Sequence, residues 1–188
     1  YRGIGEMAGS DFTFATFSKN EFYASLNARL VDMADVRSDK RVVDLACGAG
    51  GVTRLILERI NRTRDTVVIA LDHSSVALKS AMDELKDISN NAVKYVQLGV
   101  ENVSDALKDS VDTIVYCNAI HYVPDKDAVV ADIANSLRPG GKFAFNTSFY
   151  EGGPPEGSAA FYSKWMLQGM RLLRTEYGFK PQSEAHKV

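Results

Sequence analysis

The chain of 188 residues has few cysteines, no excess of positive charge and no long apolar run. Its two cysteines, Cys47 and Cys117, each end a predicted strand. We expect them to be packing residues in a reducing, cytoplasmic compartment, with a reactive thiol as the alternative and no disulfide. Its 22 basic and 24 acidic residues leave no electrostatic footprint for a nucleic-acid partner. The interrupted apolar runs and the lack of a signal-peptide pattern predict no membrane span and no membrane partner.

Two common kinds of catalytic site are also missing from the sequence. No His, Cys and acidic residues stand at metal-ligand spacing, and no Ser-His-acid arrangement is present, so we predict neither a metal site nor a hydrolase. With 45% hydrophobic residues, the chain can form one compact domain with a substantial core. Four arginines on and just after a predicted helix are interpreted as a solvated helix face: Arg54, Arg59, Arg62 and Arg64.

The most informative segment is residues 42–50, with the sequence VVDLACGAG. Two β-branched residues followed by Asp44 are typical of a buried parallel strand, and Gly48 and Gly50 allow a tight turn close to a ligand. Apolar spacing from Gly51 onward predicts a helix whose positive N-terminal end faces the same crevice. The segment therefore predicts a nucleotide site. The dinucleotide pattern G-x-G-x-x-G would need a third glycine at position 53, and Thr53 argues against NAD or FAD and against a nicotinamide oxidoreductase.

Strand and helix signals alternate along the chain, and this pattern predicts a doubly wound parallel α/β sheet with strand order 3-2-1-4-5. Residues 139–141, Pro-Gly-Gly, are predicted to be a turn before the fifth strand. Apolar residues on one stripe of 20–33 predict an amphipathic helix that covers another part of the molecule: Phe22, Tyr23, Leu26, Leu30 and Met33. Strands are predicted from 42 and over 66–72, 93–98, 111–116 and 142–147, with helices over 51–60, 74–85, 104–108 and 125–137.

Residues 42–50 resemble motif I of the class I S-adenosylmethionine-dependent methyltransferases, in which an acid on a strand precedes Gly-Cys-Gly-x-Gly. Ala46 replaces the first glycine of that motif, and we expect the loop to shift slightly and to keep the ligand. The resemblance covers about residues 40–147. It implies a Rossmann-like core that binds S-adenosylmethionine, releases S-adenosylhomocysteine and performs chemistry of the EC 2.1.1 class.

The resemblance also divides the chain into three parts. We expect an N-terminal helical cap at 1–36, an S-adenosylmethionine-binding core at 37–150, and a lid or insertion segment at 151–188. The C-terminal antiparallel hairpin of a full class I core is not recognisable in the sequence. We therefore expect a truncated chain, or one that stops inside an insertion.

Asp72 ends the second predicted strand, 22 positions after Gly50, which is close to the separation of an acid that binds both ribose hydroxyls. Capping of the next helix is the alternative role of Asp72, although Ser74 and Ser75 are available for it. Asp44 is expected to reach the methionine ammonium of the cofactor. By resemblance, His73 flanks the adenine, with simple solvent exposure as its alternative.

The resemblance further implies contacts at the ends of the third and fourth strands. Gly99 stands where the family often has an acid for the adenine amino group, so this contact is lost or moved, and Val100 supplies backbone contact. Glu101 is either a contact or a solvated loop residue, and Asn118 faces the methionine part through its backbone. The predicted cofactor-binding residues are Asp44, Ala46, Gly48, Gly50, Asp72, His73, Val100, Glu101 and Asn118.

His121 is the candidate general base, because an imidazole with a pKa near ~6.5 suits proton removal at neutral pH, and a packing role is its alternative. The segment around it lacks the prolines of the signature that grips a flipped-out base, which argues against methylation of nucleic-acid amines. The predicted substrate-binding residues are Phe17, His121, Tyr122, Tyr150, Trp165 and Met166. As the alternative, the aromatic residues among them form the ordinary core of a larger lid.

We therefore predict O-methylation of a small hydrophobic metabolite. A non-catalytic nucleoside-binding or scaffold domain of a larger synthase is the alternative. The expected partners are a small-molecule substrate and either other domains of a longer chain or a second copy in a homodimer.

Overall fold

The computed structural model describes residues 21–88, 92–107, 111–147 and 158–178. The chain divides into two compact units between residues 149 and 150. In the second unit, the described element is one long helix, α6 (Ser158–Tyr177). None of the helices in the described part of the chain is both long enough and apolar enough to cross a membrane.

The first unit is an alternating series of helices and strands. Three short 3-10 turns, at Val36–Ser38, Val100–Asn102 and Ile120–Tyr122, lie between these elements. In chain order, the elements are α1 (Glu21–Ala34), β1 (Arg41–Leu45), α2 (Gly51–Arg59), β2 (Val67–Asp72), α3 (Ser75–Leu85), β3 (Val93–Gln97), α4 (Val103–Ala106), β4 (Val111–Cys117), α5 (Lys126–Ser136) and β5 (Leu137–Asn146).

The strands form one parallel sheet in the order β3-β2-β1-β4-β5, which confirms the predicted fold class and strand order. Alternate residues of each central strand point to opposite faces. Val43 of β1 packs in a core with α4 and α5, whereas Val42 packs in a second core with α1, α2 and α3. Both faces of the sheet are thus covered, as parallel sheets require.

The fifth strand begins earlier than the sequence predicts. Leu137 already pairs with Val111, and the next pair in register is Lys142 with Thr113. The predicted Pro-Gly-Gly turn therefore lies inside β5 as an irregularity, with Gly140 at a φ of +80°. Since β5 is the last strand in the order, the proline's missing N–H is tolerated there.

The predicted helix α1 is present, but its predicted apolar stripe is buried only in part: Leu30 packs against the core and Tyr23 is half-buried. Val31 and Ala34 are the buried residues, while Phe22, Leu26 and Met33 are exposed. Val31 and Ala34 are short, so α1 packs closely on α2 and β5 through this face.

Candidate active site

The carboxyl ends of the parallel strands bring the predicted site residues to one edge of the sheet. Ligands of open α/β sheets bind outside this edge, where the strand order reverses. In this sheet the reversal lies at β1, which pairs with β2 on one side and with β4 on the other. Directly after β1 comes the glycine turn, residues 46–50, which is flanked by the ends of β2 and β4.

The glycine turn contains three residues in the left-handed region: Ala46, Gly48 and Gly50, with φ of +56°, +54° and +85°. At position 50, a Cβ would lie 3.0 Å from Leu85 Cδ1 and 3.2 Å from Ala81 Cβ, so the turn packs tightly on α3. Glycine is thus required at position 50 for packing and for φ. The predicted contacts of these three residues with a cofactor stay predictions.

Asp72, at the end of β2, connects the glycine turn to the start of α3. Its Oδ2 accepts the Gly48 N–H and its Oδ1 accepts the Ser74 N–H, each at 2.9 Å. Ser74 is the N-cap of α3, because its hydroxyl accepts the Ala77 N–H at 3.2 Å. A carboxylate has about four acceptor sites, so these two bonds leave acceptor capacity for ribose hydroxyls. His73 beside it has an 82% exposed side chain, and its Nδ1 lies 3.4 Å from Asp72 Oδ1.

Asp44 lies inside the edge rather than on its surface, with 1% of the residue exposed. Its Oδ2 accepts the Thr53 hydroxyl at 2.5 Å. Burial raises the pKa of Asp44 to about 7, against the opposing hydrogen bonds from Thr53. From the sequence, Thr53 was informative only because it stands where the dinucleotide pattern needs a glycine. Its place in the first turn of a helix that follows an acid-bearing strand is the signal that could have identified it.

After β3, the carboxylate of Glu101 folds back over Gly99. A Cβ at position 99 would lie 2.6 Å from Glu101 Oε2. The acid that the family pattern expects at 99 is absent, and the carboxylate of Glu101 occupies the space its side chain would take. Val100 is half-buried against the core, and Leu98 donates its N–H to the Asp72 carbonyl at 3.0 Å. The ends of β2 and β3 are therefore joined directly.

His121 lies in the 3-10 turn after β4, next to the end of β5. Its Nδ1 is 3.2 Å from Thr147 Oγ1. Burial and then the charge of Lys126 lower the pKa of His121, so the ring is neutral at pH 7. The Tyr122 ring lies 4.1 Å away between centroids and is 67% exposed. Burial raises the pKa of Tyr116 to about 12, which disfavours this phenol as a base.

Three asparagines meet beside this turn. Asn118 has a φ of +52°, and its N–H donates to the carbonyl and to Oδ1 of Asn146. The side chains of both residues donate to Asn27 Oδ1 on α1. Asn27 and Asn146 were not identified from the sequence. A polar residue at a strand's carboxyl end, and another on the face of α1 that carries Val31 and Ala34, were the available signals.

Phe17 and Tyr150 are outside the described residues, and so is the side chain of Met166. Trp165 is on α6 in the second unit and is 62% exposed. Cys47 and Cys117 are free thiols, and burial raises the pKa of each, which disfavours the reactive thiolate.

The predicted solvated arginines are mostly held by protein partners. Arg54 pairs with Glu84, Arg59 pairs with Asp32, and Arg62 donates to two backbone carbonyls. Exposed pairs of this kind contribute little stability.

A profile of the family described as "Methyltransferase domain" matches residues 43–143, which is more than half of the chain. The chain belongs to this methyltransferase family. The matched segment begins in β1 and ends in β5, so it contains the glycine turn, Asp72 and the turn that carries His121. This methyltransferase therefore has the class I fold, and its cofactor is S-adenosylmethionine, as the sequence predicts.

Individual relatives are distant. A ubiquinone biosynthesis O-methyltransferase from Idiomarina loihiensis is 30% identical over 108 residues, covering 57% of this chain and 42% of that protein. The highly reducing polyketide synthase stpks1 from Strobilurus tenacellus is 25% identical over 150 residues, covering 74% of this chain and 5% of that protein. The methyltransferase thus spans less than half the length of either relative.

Among solved structures, the plantazolicin methyltransferase BamL, in complex with a triazolic desmethylPZN analog and SAH, has a similar fold. Its TM-score is 0.51 at 18% identity, covering 66% of this chain and 45% of that chain. At this identity, the likeness describes the fold alone.

Proposed function

We propose that this methyltransferase transfers a methyl group to an oxygen of a small hydrophobic metabolite. The observation that carries the proposal is the neutral imidazole of His121 beside Thr147, on the same sheet edge as the Asp72-linked glycine turn. The exposed ring of Tyr122 next to His121 gives this edge an apolar surface. The partial similarity to a ubiquinone biosynthesis O-methyltransferase is consistent with an oxygen acceptor.

The chemistry of the residues at this edge supports binding of the cofactor. The Asp72 carboxylate would hold the ribose hydroxyls, Glu101 would accept the adenine amino group in place of the missing acid at 99, and the backbone of Asn118 would face the amino-acid part. When bound, the sulfonium supplies an electrophilic methyl group, and the protein's task is to align and desolvate the partners, which can contribute roughly 7–11 kcal/mol.

His121 would remove the proton of the acceptor hydroxyl. When Nδ1 carries its proton and donates it to Thr147 Oγ1, the basic lone pair of the ring is on Nε2, which is buried, so the acceptor hydroxyl would have to reach this atom inside the sheet edge. The lowered pKa of His121 keeps Nε2 unprotonated at neutral pH. The rate of methyl transfer should therefore fall only when the pH drops below the ordinary imidazole range.

A non-catalytic domain of a larger synthase is the second candidate. The similarity to 5% of a polyketide synthase, over 74% of this chain, is consistent with a domain of a larger synthase and leaves its catalytic role to the test. The two candidates share the cofactor site and differ in whether an acceptor is methylated.

The test is an acceptor screen. The protein is incubated with S-adenosylmethionine and with sets of phenols, aliphatic alcohols, amines and carbon acids, and release of S-adenosylhomocysteine is measured. We expect release with a hydroxyl-bearing set, and about a hundredfold slower release with His121→Ala at unchanged cofactor affinity. Release with amines or carbon acids alone would reject O-methylation. Cofactor binding without release in any set would favour the scaffold candidate.

A further inference from the structure

Residue Asn27 lies on α1, at the position that faces the carboxyl ends of β4 and β5. Its spacing from Val31 and Ala34 is i, i+4, i+7, so it shares the buried face of the helix. It is half-buried, and its Oδ1 accepts the side-chain amides of Asn118 at 3.3 Å and of Asn146 at 2.9 Å. One oxygen on α1 thus binds two side chains that lie 91 and 119 residues further along the chain, one just after β4 and one at the end of β5.

The orientation of all three amides follows from one backbone group. The N–H of Asn118 can only donate, so Asn146 must face it with Oδ1, at 3.1 Å. The Nδ2 of Asn146 then faces Asn27, and the Oδ1 of Asn27 accepts its hydrogen bond. Asn118 meets that oxygen with Nδ2 for the same reason. The part of Asn27 that matters is therefore its acceptor oxygen.

This cluster, the asparagine triad of Asn27, Asn118 and Asn146, holds a backbone conformation that otherwise costs free energy. Asn118 has a φ of +52°, and left-handed backbone is unfavourable by roughly 1–2 kcal/mol for most residues, and by less for an asparagine whose side chain is hydrogen-bonded. Its N–H is held by two atoms of Asn146 and its side chain by Asn27. The triad fixes the direction of the backbone that leaves β4 and enters the turn of His121.

We infer that Asn27 is a positioning residue for the amino-acid end of the cofactor, acting through Asn118. This inference rests on the proposed function, in which the backbone of Asn118 faces that end. In the same proposed function, the adenosine end would be held at the other side of β1, where Asp72 accepts the Gly48 N–H. A change at Asn27 should therefore affect one end of the ligand and leave the other unchanged.

Two probes separate the two ends. S-adenosylhomocysteine carries the amino-acid part, whereas 5′-methylthioadenosine has the same adenosine and thioether without it. Binding of both is measured by calorimetry. Because Asn27→Leu removes one acceptor from two amide donors, it should weaken S-adenosylhomocysteine about tenfold and leave methylthioadenosine within about twofold. Asn27→Asp keeps an acceptor at the same place and should bind S-adenosylhomocysteine within about threefold of the parent protein.

Two further variants keep the test sharp. Asn135→Leu, at an exposed position of α5, makes the same chemical change away from the triad and should alter neither affinity. Asn146→Ala leaves the backbone acceptor of Asn118 in place and should reproduce the selective loss, even if Asn27→Leu does not fold.

An equal loss of both probes with Asn27→Leu, or equal losses with Asn27→Leu and Asn27→Asp, would overturn the inference alone. Failure of the parent protein to bind either probe would overturn the proposed function, and the inference with it.

Discussion

At the end of β1, Asp44 and Thr53 form a hydrogen bond shielded from water, a few residues from the Asp72 bonds to Gly48 and Ser74. The two acids differ in their surroundings. Asp72 accepts two backbone N–H groups, whereas burial raises the pKa of Asp44 to about 7. One edge of the sheet thus holds an acid that accepts two backbone donors and an acid that is partly protonated at neutral pH.

Asp44 gives the stability of the protein a defined pH dependence. Its pKa rises from the ordinary 3.8 to about 7 on folding, so the folded protein holds a proton that the unfolded chain releases. The contribution is complete below about pH 4 and is lost as the pH rises through about 7. Asp44→Asn cannot ionise, so its free energy of unfolding should fall less than that of the parent protein over this range. Urea unfolding at several pH values measures the difference.

Asp83→Asn, on the exposed side of α3, is the matched control and should follow the parent protein. Parallel pH profiles for the parent protein and Asp44→Asn would contradict the assignment of a raised pKa to Asp44.

Ala46 is the residue at which the glycine turn departs from the family pattern. With φ of +56°, its Cβ opposes the left-handed backbone that a glycine accepts freely. Ala46→Gly should raise the free energy of unfolding by about 0.5–1 kcal/mol, since relief of strain exceeds the entropy added to the unfolded chain. Ala49→Gly, in the same turn and without a positive φ, should lower it. Equal effects of the two changes in urea unfolding would contradict the strain at Ala46.

Among the helices and strands, boundaries with a strong local signal could be predicted from the sequence, and boundaries with a weak one could not. The cap of α3 could be predicted because Ser74 follows a strand and precedes helical spacing. The start of β5 could not, because pairing of Leu137 with Val111 outweighs the turn preference of Pro139 and Gly140. The burial of Val31 and Ala34 on α1 could not be predicted either, since it depends on packing against β5 and α2.

The N-cap of α3 yields a direct test. The Ser74 hydroxyl accepts the Ala77 N–H at 3.2 Å, so Ser74→Ala should lower the free energy of unfolding by about 1 kcal/mol. Ser80→Ala serves as the control, because the Ser80 hydroxyl donates to the Val76 carbonyl on the exposed side of the same helix and should matter little. A loss with Ser80→Ala as large as that with Ser74→Ala would show that the cap is not the cause.

Over the whole molecule, the two edges of the sheet carry polar groups of different kinds. At the amino edge, Asp112 accepts the N–H groups of Lys40 and Arg41 at 2.7 Å and pairs with Arg138 at 2.6 Å. Although burial opposes it, this environment holds the pKa of Asp112 below its ordinary value. The amino edge is thus closed by charge pairs, while the carboxyl edge holds Asp72, the buried Asp44 and the imidazole of His121.

The meeting of Gly48 and Asp72 at one edge of the sheet could be predicted, because glycine spacing and an acid at a strand end are local features of the sequence. Their contact with a cofactor stays a prediction. The roles of Asn27 and Asn146 could not be predicted, because they exist only once residues far apart in the chain meet at Asn118. The hydrogen bond between Thr53 and Asp44 could not be predicted either, because it depends on the burial of both side chains, which no sequence pattern indicates.

Binding of the adenosyl part of the cofactor by the glycine turn and Asp72 underlies the other proposed roles at this edge. Calorimetric titration of the parent protein and of Asp72→Ala with S-adenosylhomocysteine and NAD tests it most directly. Loss of two hydrogen bonds to a charged group should weaken S-adenosylhomocysteine at least about a hundredfold in Asp72→Ala. We expect the parent protein to bind S-adenosylhomocysteine and not NAD, with that loss in the variant. Binding of NAD alone, or equal affinity of the two proteins for S-adenosylhomocysteine, would contradict this expectation.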